Sequence, residues 1–322
     1  MIVDSLFRPV WWLRNPHAQT MYASLFRNIP LPEVREERLE LPDGDFIDLV
    51  WRDQGLASDT PLVIILHGLG GGLSSPYIRA QLERHHTLGL RVVLMQFRGA
   101  SAEPNRLLRS YHMGDTADLD YFLQVLSARE PHTHKYSVGF SLGGSILLKW
   151  LGEHPLQTHI SAAVAVSVPF QPAVTANRLN LGFSRIYQAY LLKKLREHFF
   201  RKLARQPNAQ LSQSLQASST FWIFDDRVTA PLNGFKDVHE YYQQTGSRAY
   251  LIKITTPTLI LHALDDPFMT PESIPKPEEL SPSITLELSR YGGHVGFIAG
   301  SMLGRPQYWL DERISAFLME RL

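Results

Sequence analysis

Six short runs rich in β-branched and other apolar residues, at 62–66, 91–95, 136–140, 162–168, 258–262 and 284–288, constrain this chain most strongly. Several are apolar at consecutive positions, as strands covered by helices on both faces must be. Between and after them the period changes to that of helices, at 117–129, 145–153 and 308–321, with glycines at several of the turns. This alternation predicts an α/β fold with a mostly parallel, twisted sheet and helices on both faces. Ahead of it, runs at 37–41 and 46–51 flank Pro42-Asp43-Gly44-Asp45 and read as an opening antiparallel hairpin. From 171 to 248 the rhythm breaks into a helical, polar stretch. The expected organisation is therefore an N-terminal arm and the first part of the core over 1–170, a helical cap insertion over 171–248, and the second part of the core over 249–322.

Composition narrows the chemistry. The 322 residues are 44% hydrophobic, enough for a large core, and 32 Lys and Arg against 31 Asp and Glu leave a formal charge of +1. No whole-protein field draws in nucleic acid, so no nucleic-acid partner is expected. Zero cysteines exclude disulfides, thiolate nucleophiles and Cys-based metal sites together. The reactive groups must be oxygen or nitrogen, with no cofactor and no metal expected. Neither an apolar run of the roughly 20 residues that span a bilayer nor a secretory pattern at the N-terminus is visible, which leads us to expect a cytoplasmic protein.

The sharpest local signal is Gly139-Phe140-Ser141-Leu142-Gly143-Gly144, between the strand pattern at 136–138 and the helical run from Ser145. A serine on a tight strand-to-helix turn projects its hydroxyl out of the sheet, and the turn needs small residues two positions to either side. The helix that follows aims its N-terminal amides at the same place. A serine hydroxyl needs a general base, which in such an architecture comes late, after the last strand. Among the late histidines, His239 and His262 read as packing residues. His294, in Tyr291-Gly-Gly-His-Val-Gly-Phe297, sits on a glycine-flanked loop and is the expected base.

For the acid, Asp265 and Asp266 compete just past the strand at 258–262. Asp266 is favoured because Pro267 stiffens the turn after it, leaving Asp265 as a capping residue. Oxyanion donors are expected from the backbone amides of Leu142 and of Leu69, the latter in His67-Gly68-Leu69-Gly70-Gly71-Gly72. A phosphate-binding use of these glycines is disfavoured: no Lys-Ser/Thr follows, and the dinucleotide spacing is absent. His67 has no companion ligand at metal spacing.

With these residues in place the chain resembles the α/β-hydrolases, and within them the YheT-like branch, related to eukaryotic α/β-hydrolase-domain lipid hydrolases and to yeast medium-chain alcohol acyltransferases. Further blocks carrying the likeness include Asn15-Pro-His-Ala-Gln-Thr20, Phe97-Arg98-Gly99, Phe224-Asp225-Asp226 with Thr229, and Tyr241-Tyr242. The family's nucleophile block usually has Asn where this chain has Ser145. The resemblance implies a serine hydrolase of carboxylic esters, on short to medium acyl chains or lipid esters, with a small-molecule ester as partner. Acyl transfer to an alcohol uses the same acyl-enzyme, and a non-enzymatic lipid-binding module on the same scaffold is the alternative from another class.

Three outlying features complete the reading. Arg98 is expected to pair with a carboxylate such as Asp115, and Trp11, Trp12 and His17 to form an arm packed across the core. The stretch from Lys193 to Arg205 is basic with apolar residues at helical spacing, which suits either packing on its own domain or peripheral contact with an anionic membrane. Aromatic residues of the cap are expected to pack against one another rather than to line a pocket.

Overall fold

In the run at 62–66, Leu62, Ile64 and Leu66 enter one hydrophobic cluster and Val63 and Ile65 another, all fully buried. A strand used on both faces lies inside a sheet between helical layers. The structure, a computed structural model, describes residues 1–300 and 304–322 and has this architecture. In chain order the main sheet holds β1 (Ile2–Asp4), β2 (Arg35–Glu40), β3 (Phe46–Arg52), β4 (Leu62–Leu66), β5 (Arg91–Gln96), β6 (Lys135–Phe140), β7 (Ala162–Val166), β8 (Thr258–Ala263) and β9 (Ile284–Ser289). Across the sheet the order is β1-β9-β8-β7-β6-β4-β5-β3-β2. β3 pairs antiparallel with both neighbours, and the remaining pairings are parallel.

The helices α1 (Pro16–Phe26), α2 (Pro76–Thr87), α3 (Ala117–Arg129) and α4 (Leu142–Glu153) precede the cap. Within the cap run α5 (Pro172–Leu179), α6 (Ser184–Arg205), α7 (Ala209–Ala217), α8 (Phe221–Phe224), a π-helical turn (Asp225–Thr229), α9 (Ala230–Leu232) and α10 (Val238–Thr245), all between β7 and β8. These cap helices share their own core around Leu192, Leu195, Phe199, Leu215 and Phe224. The chain closes with a small antiparallel pair, β10 (Ile298–Gly300) and β11 (Pro306–Tyr308), and α11 (Trp309–Met319). α3 and α4 cover one face of the sheet, α2 and α11 the other. The sheet order reverses at β4, with β5 on one side and β6 on the other. Such a switch point opens a crevice at the carboxyl ends of the strands.

Several details differ from the sequence reading. β1 was not anticipated; its three residues pair with β9, Ile2 lying opposite Leu286. Along the arm Phe7, Val10 and Leu13 are buried, whereas Trp11 and Trp12 are 71% and 41% exposed. The chain turns between Val10 and Leu13, whose backbones are bonded at 2.9 Å, so the two indoles lie on its outer side. His17 does pack, its ring against Phe183 and Tyr187.

Arg98 pairs not with Asp115, which takes Arg109 instead, but with Asp118 through two bonds of 3.0 and 2.6 Å, and with Asp43 and Asp45 at 2.7 and 3.0 Å. The hairpin turn and the start of α3 lie nearer its guanidinium than the sequence could indicate. Asp45, fully buried, also accepts the Asn105 amide and the backbone N–H of Arg106. This ionic knot ties the long connection after β5 to the β2–β3 turn. Arg98→Met leaves buried carboxylates without their cation and is expected to lower unfolding stability by about 3–5 kcal/mol, read as a lower urea midpoint.

Several cations of the basic stretch on α6 bond to neighbouring segments, though only Lys202 is buried among them. Lys202 is buried and donates to the carbonyls of Leu108 and Arg109, Arg201 donates to Ala102, and Arg205 pairs with Glu103. Arg196 reaches the Ser218 carbonyl, Lys194 the Gly70 carbonyl, and Lys193 remains in solvent 3.9 Å from Glu197. Lys194, Arg201, Lys202 and Arg205 thus fasten the cap to the core, while Arg196 bonds within the cap. Among the described residues no helix is long and apolar enough to cross a membrane.

Candidate active site

Ser141 stands between β6 and α4 with φ 50° and ψ −117°, a backbone that residues with a Cβ rarely adopt. The glycines around it are required by contact. A Cβ on Gly143 would lie 2.5 Å from the carbonyl oxygens of Leu66 and His67, and one on Gly139 would lie 2.6 Å from the Gly143 oxygen. The turn is therefore pressed against the end of β4, and α4 begins at Leu142, three residues before its apolar pattern becomes visible.

The loop after β9 carries His294 to the serine. Its Nε2 is 2.9 Å from Ser141 Oγ, and its Nδ1 is 2.8 Å from Asp266 Oδ2. Asp266, itself buried, accepts the Phe268 N–H on its other oxygen at 2.8 Å. The Phe268 ring stacks flat on the imidazole, centroids 3.9 Å apart and planes within 3°. Asp265 turns elsewhere, its Oδ1 accepting the N–H of Gly293 at 2.9 Å, and burial pushes its carboxyl up to about 6.

The histidine loop is held against its own strain. Val295 and Phe297 have φ of 57° and 47°, unusual for side chains of their size. Three clamps from distant elements hold it: Thr20 Oγ1 accepts the His294 N–H at 2.9 Å, Ser167 Oγ accepts that of Val295 at 3.0 Å, and Asp265 holds Gly293. Ser167 has φ 52° and ends β7 at Val166, two residues before the expected 168.

Across from the histidine, the glycine loop after β4 abuts the serine, since a Cβ on Gly68 would meet Ser141 Cβ at 3.3 Å. Tyr77 accepts the N–H of Gly68 and Tyr111 that of Gly70, each at 2.9 Å. Between those two occupied amides, that of Leu69 makes no hydrogen bond with the described residues, and neither does that of Leu142 in the first turn of α4. His67 braces the loop, Nδ1 donating to the Gly68 carbonyl at 2.7 Å and Nε2 accepting the Phe97 N–H at 3.2 Å; burial lowers it to about 4, so it is neutral. His262 is likewise buried and lowered to about 4, and His239 lies exposed beside Trp222, away from Ser141. Among the described residues no group of His, Asp and Glu is arranged to hold a metal ion.

Ser141 and His294 open into a narrow cavity between sheet and cap. Its wall is mainly hydrocarbon, with Leu179, Leu191, Leu195, Phe221 and Phe224 from the cap. Here the expectation for the cap aromatics is corrected: Phe199, Tyr241 and Tyr242 belong to the cap core and also line the cavity. The clamps Thr20 and Ser167 and the stacking Phe268 escaped sequence reasoning as site residues, because each acts through one side chain far along the chain from its partner, and Tyr77, nine residues past Gly68, shows no pattern around its hydroxyl. Thr20 lies in a block that carries the resemblance, without a role there.

A family model described as alpha/beta hydrolase fold matches residues 61–301. The chain is 42% identical over 315 residues to a protein of Escherichia coli (strain K12) named "Putative esterase YheT", covering 97% of this chain and 92% of that one. It is 35% identical over 281 residues to a monoacylglycerol lipase of Saccharomyces cerevisiae, covering 83% and 61%, and 26% identical over 331 residues to the phospholipase ABHD3 of Homo sapiens, covering 98% and 79%. Among solved structures, the Pyrococcus furiosus esterase Pf2001 superposes with a TM-score of 0.55 at 17% identity over 90% of this chain and 93% of that one, a likeness of fold.

Proposed function

Since the chain belongs to the alpha/beta hydrolase family, we propose that it hydrolyses carboxylic esters of small molecules through an acyl-serine intermediate on Ser141. The observation that carries this is the unbroken hydrogen-bonded line from Ser141 Oγ through His294 to Asp266, opening into an apolar cavity.

The ester's hydrocarbon part enters the cavity. Ser141 Oγ attacks the carbonyl carbon while His294 Nε2 takes the hydroxyl proton, and Asp266 stabilises the imidazolium through Nδ1–H. The amides of Leu69 and Leu142 donate to the oxyanion, each such donor contributing about 3–4 kcal/mol to the transition state. The imidazolium returns its proton to the leaving alcohol. Water then follows the same path in reverse and releases the acid. Phe268 limits rotation of the imidazole by covering one face of it.

A fluorophosphonate probe tests this directly, because it forms a stable bond only with an activated serine. The expected result is stoichiometric labelling of the wild type and none of Ser141→Ala. An unlabelled wild type, or equal labelling of the variant, would remove Ser141 from this role.

A further inference from the structure

From the block Phe224-Asp225-Asp226 with Thr229 and from Tyr241-Tyr242, none of which takes part in the steps above, the fold gathers all but Asp226 on the cap side of the cavity. Asp225 to Thr229 form a π-helical turn, a rare backbone frequently found at functional sites. Asp225 lines the cavity, accepting Thr229 Oγ1 at 2.6 Å and the Tyr242 hydroxyl at 2.7 Å. A carboxylate offers about four acceptor positions, so these two bonds leave it unsaturated. Two further cap residues line the same space: Thr175, 8% exposed, and Asn233. Neither Thr175 Oγ1 nor Asn233 Oδ1 has a hydrogen-bond partner among the described residues, while Asn233 Nδ2 is committed to the Thr229 carbonyl at 2.8 Å. In a wall otherwise mainly of hydrocarbon, Asp225 and Asn233 thus offer free acceptor oxygen and Thr175 a hydroxyl that can accept or donate, the set a ligand hydroxyl can pair with.

We infer that Asp225, Thr175 and Asn233 form a subsite for a hydroxyl group carried on the chain of the ester, so that the substrates are esters with a hydroxylated acyl or alkyl chain. This rests on the reading of Ser141 as the nucleophile, since that fixes where the reacting carbonyl sits. A methyl-terminated chain leaves the enclosed Thr175 and Asn233 oxygens unpartnered, whereas a hydroxyl at the same length can give them one or more hydrogen bonds. Enclosure by the cap pushes the Asp225 carboxyl up to about 6, in keeping with a site that welcomes a neutral donor.

The test compares p-nitrophenyl esters of unsubstituted and terminally hydroxylated acids, from butanoyl to dodecanoyl, in the wild type, Thr175→Val and Asn233→Leu. At one chain length the wild type is expected to favour the hydroxylated ester in kcat/KM by roughly ten-fold or more. Thr175→Val removes an unpartnered oxygen at constant shape, so its Tm should not fall while that preference shrinks toward unity; Asn233→Leu should shrink it independently. In parallel, thermal shifts with α,ω-diols and plain alcohols of matched length report binding without turnover. A diol preference confined to one length and lost in Thr175→Val supports the subsite even if no ester is cleaved, in which case the esterase reading fails alone. Turnover of both series with no preference at any length, or a preference that both variants retain, overturns the subsite and leaves the esterase standing.

Discussion

Ser141→Ala and His294→Ala are each expected to lower kcat on an activated ester by about 10⁶-fold, and the double variant to fall no further. On the proposed mechanism the two side chains act as one device: without the imidazole the hydroxyl keeps its proton, and without the hydroxyl the imidazole has no nucleophile to deprotonate. A loss of that size is about 8 kcal/mol of transition-state stabilisation, more than any other single contact described in the site contributes. Activity over water that survives in both variants comes from the Leu69 and Leu142 amides and from the cavity, which the substitutions leave in place. Unfolding stability of Ser141→Ala should hardly move, because the glycine contacts that shape the turn do not involve the hydroxyl, whereas His294→Ala also removes the bond to buried Asp266 and the stack on Phe268 and should shift it. Steady-state kinetics with circular dichroism on the same preparations checks both halves. A Ser141→Ala protein that keeps more than about one per cent of kcat, or a double variant far below either single one, would contradict a shared step.

What the sequence reveals about this site follows how far each cause lies from its effect along the chain. The elbow is legible because Gly139, Ser141 and Gly143 are local neighbours and the contacts that demand glycine there leave a fixed spacing. His294 is legible through its glycine-flanked loop and its place after the last long strand. The clamps are not: Thr20 and His294 are bonded across 274 positions and Ser167 and Val295 across 128, and a lone hydroxyl carries no pattern. β1 is hidden for the same reason, three residues being too short a run to show periodicity. The cations of α6 are the opposite case. Their charge is plain in the sequence, but the carbonyls of Ala102, Leu108 and Arg109 that absorb it come from an irregular connection whose path no periodicity sets. Asp225 shows how a segment recognisable by resemblance acquires a meaning only when Tyr242 and Thr229 are seen around it.

The adjacent aspartates carry the second large effect, and chemistry separates them more sharply than position does. Asp266→Asn is expected to lower kcat by about 10⁴-fold with the fold intact. The Phe268 N–H occupies one oxygen of Asp266, so an amide there keeps its carbonyl oxygen on that bond and turns its NH₂ toward His294. Nδ1 must then accept, the proton moves to Nε2, and the imidazole can no longer receive the proton of Ser141. Asp265→Asn has no such consequence. Its Oδ1 bond to Gly293 survives as an amide oxygen, and the group replaced is a buried oxygen without a partner among the described residues. Activity should stay within about ten-fold of the wild type. The two variants also part in stability. Because burial raises the Asp265 carboxyl to about 6, the native state favours its protonated form. The associated stability is present at low pH and is lost as pH rises from the ordinary carboxyl value near 4, as roughly expected of an unfolded chain, to about 6. Asp265→Asn removes that loss, so its Tm relative to the wild type should climb over this window and level off above it. Measuring kcat and Tm of both variants between pH 4 and 8 decides the assignment. If Asp265→Asn were the variant that lost activity by orders of magnitude, the imidazole would take its orientation from Asp265, and the Nδ1 contact with Asp266 would not be the one that turns over.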